Sequence, residues 1–202
     1  MNALVVDLGF SAAKFVYKEK RGRIPSAFRL AAGGYIFGEE ALLKSGSSYL
    51  KTPEELIRHY PAFVELCRKK ADVPQDEQIR LVVGLPYNFC VDEDRPGGQV
   101  PALRNMLSGL DGVAEAQVYP QGLGGIAYYL DTVHNGESSV LSVDIGFNTI
   151  IYTLFDASKG KIVWGNTFNK RGIHQLANDH ALPRVKHLAP GRTFTPLEII
   201  IM

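Results

Sequence analysis

Two short stretches of this chain carry residues able to hold an anion and a hydrated cation together. They are VVDLGFSAAK at Val5 to Lys14 and SVDIGFNT at Ser142 to Thr149. Each places Asp-x-Gly after a short apolar run, and Asp144 lies 137 positions after Asp7. Glycine lacks a Cβ, so the backbone there can approach a ligand closely. Peptide N–H groups gathered at such a turn suit a phosphate. The carboxylate before them has a different use: it can hold a hydrated Mg²⁺, which keeps several waters and takes one or two carboxylates plus phosphate oxygens. Lys14, seven residues after Asp7, puts a cation within reach of terminal phosphates, and Asn148 and Thr149 add an amide and a hydroxyl in the second copy. A lone Asp-x-Gly is an ordinary turn. Its recurrence inside the same pattern of elements marks a duplicated unit, and two such hairpins facing each other would clamp a polyphosphate.

The surrounding elements support the duplication. Asn2 to Asp7 predicts a buried strand ending at the glycine turn. Ser11 to Glu19 resumes an extended pattern, and a tip at Arg21-Gly22 leads to a third strand at Ile24 to Leu30. Residues 31–48 are rich in Gly and Ser and predict a loop-rich insertion with a short helical piece at Glu39 to Lys44. Thr52-Pro53-Glu54-Glu55 is a helix start, with a Thr cap and Pro at the first helical position. That helix runs to about Lys70, and Pro61 is expected to bend or break it. A strand at Ile79 to Val83, a helix at Val100 to Leu107 and a strand at Glu115 to Tyr119 follow. Gly122 to Val133 predicts a helix whose glycines imply close approach of another backbone. After a turn at His134 to Glu137 the opening pattern returns as strands at Ser139 to Asp144, Asn148 to Phe155 and Lys161 to Thr167, then a helix from Gly172. The expected organisation is a first lobe over residues 1–135 and a second over residues 136–202.

Composition narrows the function classes. The chain has 202 residues, 46% hydrophobic and 21% charged, with a net charge of +1. It can bury a core, and it offers no electrostatic case for binding nucleic acid or a membrane surface. Lys18, Lys20, Arg21 and Arg23 read as a solvated hairpin tip. Cys67 and Cys90 have no metal-type spacing and predict free thiols in a reducing compartment. No run reaches the ~18 apolar residues of a membrane span, so a cytoplasmic location is expected. His174, His180 and His187 lack helical metal-pair spacing.

The set of motifs resembles a known superfamily. DLGFSAAK matches the first phosphate pattern, and DIGFNT the second, of the actin/heat-shock-chaperone/sugar-kinase superfamily. YPQGLGGIAYYL looks like its first connecting helix. With RIPSAFRLA, YIFGEEALLKSG and RLVVGLP, the order of segments is similar to the ParM/StbA-type actins, filament-forming ATPases of plasmid segregation. The resemblance covers about Asn2 to Leu182. It implies an α/β fold of RNase-H-like, actin-type lobes with mixed sheets flanked by helices, holding Mg·ATP. Asp7 and Asp144 would organise the Mg²⁺, and Lys14 would contact the β- and γ-phosphates. Gly9, Phe10 and Ser11, with Gly146, Phe147, Asn148 and Thr149, would lend backbone N–H groups. Gln121 stands where the family carries the residue that orients the attacking water, and an amide can do so without charge. Phe10 departs from the hydroxyl residue of eukaryotic actins, so Ser11 must replace that contact or it is absent. Self-assembly into filaments, and an adaptor linking them to DNA cargo, are the implied partnerships. A non-catalytic scaffold of the pilus-assembly type and a small-molecule kinase share the superfamily.

After Gly172 the sequence shows neither a second connecting helix nor a Gly-rich adenosine motif, and it ends in the apolar LEIIIM. The second lobe is therefore expected to be partial: a fragment, a truncated paralogue, or a lobe completed by another chain. Weak binding with little base selectivity follows from that expectation.

Overall fold

The computed structural model describes residues 1–43, 45–91, 98–133, 136–188 and 191. It divides into two compact units, Met1–Leu123 and Gly124–Met202. His134 and Asn135 in the expected interlobe turn, Lys44, and the apolar stretch at Leu197 to Met202 lie outside the described residues.

The first unit opens with β1 (Asn2–Leu8), β2 (Ala12–Tyr17) and β3 (Lys20–Pro25), an antiparallel meander. β7 (Ile79–Leu85) pairs parallel to β1, and β8 (Val113–Pro120) parallel to β7, giving a mixed sheet ordered β3-β2-β1-β7-β8. Alternation assigns the two faces of β1. Leu4, Val6 and Leu8 are fully buried, whereas Val5 on the other face is 41% exposed. The buried face packs on α2 (Pro53–Lys70). Thr52 caps this helix in a complete capping box with Glu55, which satisfies two of its orphan N–H groups. The helix continues unbroken through Pro61. Tyr60, Phe63 and Val64 around that proline are fully buried, and each such side chain contributes roughly 2 kcal/mol, comparable to the cost of the lost hydrogen bond and ring clash.

Two expectations about this region change. The hairpin tip is Lys18-Glu19, with Lys18 at φ 53°. Gly22 lies inside β3 because a Cβ there would come within 2.7 Å of the Phe15 ring. The expected strand at Ile24 to Leu30 is two strands, split at Ser26. Beyond β3, the chain passes to a second sheet ordered β5-β4-β6, made of β4 (Ala27–Ala31), β5 (Gly34–Phe37) and β6 (Ser48–Tyr49). The insertion therefore carries its own small sheet, with α1 (Glu39–Leu42) between β5 and β6. Pro25 cannot donate to a continued ladder, and Ser26 turns its backbone N–H to the Ser11 carbonyl at 2.9 Å. Two short elements, α3 (Tyr87–Cys90) and α4 (Val100–Ser108), follow β7. α4 packs on β8.

His59 joins the small sheet to α2. It is 6% exposed, with the rings of Phe28, Tyr35 and Phe37 at 5.1–5.2 Å between centroids. Burial, reinforced by Arg58, lowers its pKa from the ordinary histidine value, with Glu55 opposing. A depressed folded pKa means the neutral ring is the stabilising form. Its contribution is complete above the unfolded value near 6.5 and declines as pH falls through it. Thermal unfolding of the wild type should therefore drop more steeply from pH 7 to 5.5 than that of His59→Phe. Parallel pH profiles would contradict this.

The second unit opens within α5 (Leu123–Thr132), at Gly124, and then repeats the meander as β9 (Ser139–Ile145), β10 (Thr149–Asp156) and β11 (Lys161–Asn169), ordered β11-β10-β9. Gly122 before α5 sits at φ 90°. A Cβ on Gly124 or Gly125 would meet no described atom within 4 Å, so the backbone approach expected of these glycines is not found. Ile151, Thr153 and Thr167 line the buried face of this sheet. α6 (Ile173–Leu176), a π-helical turn at Ala177–Ala181 and α7 (Leu182–Leu188) complete the described chain.

Candidate functional site

Both copies of the duplicated phrase fold into the same turn. Gly9 N–H donates to the Ala12 carbonyl at 3.0 Å, and Gly146 N–H to the Thr149 carbonyl at 2.8 Å. A Cβ at either glycine would lie 3.3 Å from that same carbonyl oxygen. The shared requirement for glycine is thus this close crossing, not a positive φ. Because each glycine N–H closes its own turn, the donors a turn can present outward are those of the following peptides.

The carbonyls show which way those peptides face. In the first turn, Ser26 Oγ donates to the Gly9 carbonyl at 2.5 Å and Ser26 N–H to the Ser11 carbonyl at 2.9 Å. In a planar trans peptide, N–H and C=O point in opposite directions, so the N–H groups of Phe10 and Ala12 face away from Ser26. In the second turn, the carbonyls of Gly146, Phe147 and Asn148 accept from the N–H groups of Ile173, His174 and Arg171 at 3.0, 2.9 and 3.3 Å. By the same geometry, the N–H groups of Phe147, Asn148 and Thr149 are turned away from α6. The Phe10 ring is 4% exposed and belongs to the core, leaving only its backbone for ligand contact. Phe147 instead rests against His174, with ring centroids 5.0 Å apart.

The hairpin explains why a spacing of seven matters. Asp7 and Lys14 are direct cross-strand partners, and Lys14 Nζ lies 3.5 Å from Asp7 Oδ2. Gln121, reached at the end of β8, donates from Nε2 to Asp7 Oδ1 at 2.7 Å. Its own N–H is anchored on the Leu85 carbonyl at 2.7 Å. A carboxylate, an ammonium and a carboxamide thus meet at the carboxyl ends of the parallel strands β1, β7 and β8, where ligands of α/β sheets bind. Asp7 keeps 40% of its side chain exposed and Lys14 70%, so both can turn to a ligand. The donor set fits a hydrated Mg²⁺ with phosphate: one carboxylate for the metal's waters, one cation for the anion. Gly84 leaves room for it, since a Cβ there would stand 3.0 Å from Gln121 Cγ and 3.6 Å from Asp7 Oδ1.

In the second unit, Asp144 is half-buried on β9 opposite Ile151, and Thr149, which opens β10, is 6% exposed. Gly172 packs directly on this turn. A Cβ there would lie 2.4 Å from the Gly146 carbonyl oxygen and 2.6 Å from the Phe147 carbonyl.

Three supporting residues carried no sequence signal. Ser26 and Gly172 hold the two turns, and Tyr60 lies beneath the first. The Tyr60 hydroxyl is 3.0 Å from the carbonyls of Val6 and Gly84 and accepts from Leu8 N–H at 3.3 Å. Burial raises its phenol well above the ordinary range, so it is a neutral donor.

No protein-family model matches the sequence, and no curated protein matches it. Solved structures do. The archaeal actin homolog Ta0583 in complex with ADP superposes with a TM-score of 0.72 at 15% identity, over 98% of this chain and 70% of that one. Its native structure gives 0.70 at 14% identity over the same shares. The MamK double helical filament gives 0.64 at 18% identity, over 98% of this chain and 63% of that one. The fold is therefore of the actin class, a mixed α/β sheet with flanking helices. Among the described residues, no helix is long and apolar enough to cross a membrane.

Proposed function

We propose that this chain is an actin-like nucleotide-binding protein that assembles into filaments with Mg·ATP and hydrolyses it. The observation that carries the reading is the Asp7–Lys14–Gln121 cluster at the carboxyl end of the sheet, together with a second copy of its turn. That Ta0583 was solved with ADP, and MamK as a double helical filament, supports the nucleotide-binding and filament parts of the proposal.

Each residue has a role in it. Asp7 and Asp144 organise the hydrated Mg²⁺, which supplies charge neutralisation on the phosphates when bound. Lys14 contacts the β- and γ-phosphates. In each turn the outward N–H groups, at Phe10 in the first and at Phe147 to Thr149 in the second, bind phosphate oxygens, and Ser11 offers the hydroxyl. Gln121 orients the attacking water by hydrogen bonding. The setting is a cytoplasmic cytoskeletal one, of which plasmid segregation of the ParM/StbA kind is the specific form, with an adaptor protein joining filament to DNA. The lobes are assigned to residues 1–135 and 136–202, α5 going with the first although it groups with the second compact unit.

Calorimetric titration of Mg·ATP into the 202-residue chain, with Asp144→Ala alongside, tests this. Saturable heat in the wild type, absent in the variant, is expected, and Mg·ATP should drive the wild type alone into a sedimenting form. A folded wild type that binds no nucleotide would overturn the proposal and favour a scaffold.

A further inference from the structure

We propose that Tyr60 and Gly84 are positioning residues that set the Asp7–Gln121 hydrogen bond, and through it the place of the attacking water. This rests on the nucleotide reading above. The parallel register of β1 and β7 ends at Val6 and Val83. Continued by one more rung, the ladder would carry a bond from Leu8 N–H to the Gly84 carbonyl. The Tyr60 hydroxyl occupies that rung instead, accepting from Leu8 at 3.3 Å and standing 3.0 Å from the Gly84 carbonyl. Its single proton can go to Gly84 or to the Val6 carbonyl, also 3.0 Å away. A buried phenol thus wedges the two strand ends apart at the residue that follows Asp7.

On the opposite face of the sheet, the parted strands leave the space that Gln121 fills. Gly84 faces it, and Gln121 Cγ rests 3.0 Å from where a Gly84 Cβ would stand. From there Nε2 reaches Asp7 Oδ1 at 2.7 Å and lies 3.4 Å from the Leu8 carbonyl. The phenol sets the strand separation from below, and the missing Cβ sets the approach from above. Misplacing a catalytic group by about 1 Å can cost on the order of a hundredfold in rate.

Tyr60→Phe removes only the hydroxyl, and Gly84→Ala adds only a methyl beside Gln121. Two readouts separate this proposal from the nucleotide reading: the Gln121 side-chain amide resonances of the free protein, and hydrolysis with binding measured in parallel. In both variants the Gln121 amide signals should move toward those of a solvent-exposed glutamine. Turnover should fall about tenfold to a hundredfold, while the Kd for Mg·ADP changes less than about threefold. Unmoved Gln121 resonances in both variants would overturn the positioning role, whatever the nucleotide results. So would a raised Kd with unchanged turnover. A wild type that neither binds nor hydrolyses would sink the nucleotide reading alone, and the amide resonances would still decide the geometry. Gly84→Ala keeps the test available if loss of the phenol unfolds the chain.

Discussion

Asp7→Asn is expected to weaken Mg-dependent nucleotide binding about a hundredfold while leaving the fold unchanged. Asparagine keeps the shape of the side chain and one acceptor oxygen, so Gln121 can still donate to it. What it removes is the negative charge that a hydrated Mg²⁺ requires. Weakening the outer shell of a metal typically costs ten- to a hundredfold in affinity, and at Asp7 the upper end is expected because the charge itself is lost. Stability should not follow. The Lys14 ion pair is 3.5 Å long with both side chains well exposed, and pairs of that kind contribute at most about 1 kcal/mol. Calorimetry of Mg·ADP and a denaturant titration on the same protein check the two halves. Equal affinity in the variant would remove Asp7 from the site.

Lys14→Ala offers the complementary comparison. It should weaken ATP more than ADP, because the ammonium is assigned to the terminal phosphates. Asp7→Asn should weaken both nucleotides only when Mg²⁺ is present. A chelator should make the Asp7 variant and the wild type alike.

The actin-type fold was legible because its signals are local or repeated. The Asp-x-Gly turn occurs twice in the same meander, and both copies close the same backbone bond. The Thr52 cap is a four-residue pattern, and it forms as read. Asp7 and Lys14 needed only a hairpin to meet. The misread parts depend on packing that the local pattern does not announce. Ile24 to Leu30 looks like one strand until Ser26 is drawn to Gly9 and Ser11, and nothing in the segment itself says so. Gly22 resembles a turn glycine, yet it is there to clear the Phe15 ring. Pro61 predicts a bend or a break, and of the two the break does not occur, because its buried neighbours on α2 hold the helix continuous. Tyr60 and Gly84 are invisible for the same reason. Their importance lies in atoms 52 to 54 and 37 positions away. Local chemistry therefore exposed the residues proposed to contact a nucleotide, and tertiary packing hid the ones proposed to aim them.

Gly172→Ala carries the largest expected structural effect, and it separates the second turn from the rest of the molecule. Gly172 has φ −74° and ψ −170°, a conformation any residue adopts, so the penalty is purely steric. The new Cβ would lie 2.4 Å from the Gly146 carbonyl oxygen and 2.6 Å from the Phe147 carbonyl. These are backbone atoms of the turn and cannot swing aside as a side chain would. Relief requires residues 171–174 to withdraw, which breaks the bonds from Ile173 and His174 to the Gly146 and Phe147 carbonyls. Overpacking of this kind costs about 1–3 kcal/mol, and each lost hydrogen bond about 1 kcal/mol more. The total is roughly 3 kcal/mol or more. Trp164 is the single tryptophan of the chain and lies on β11, so its fluorescence reports the second unit alone. Its unfolding midpoint should fall sharply in Gly172→Ala, and nucleotide binding should weaken with it, since the withdrawn helix no longer holds the carbonyls that turn the N–H groups outward. A Trp164 transition at the wild-type midpoint would mean that the turn yields without cost. The fixed orientation of those donors would then fall with it.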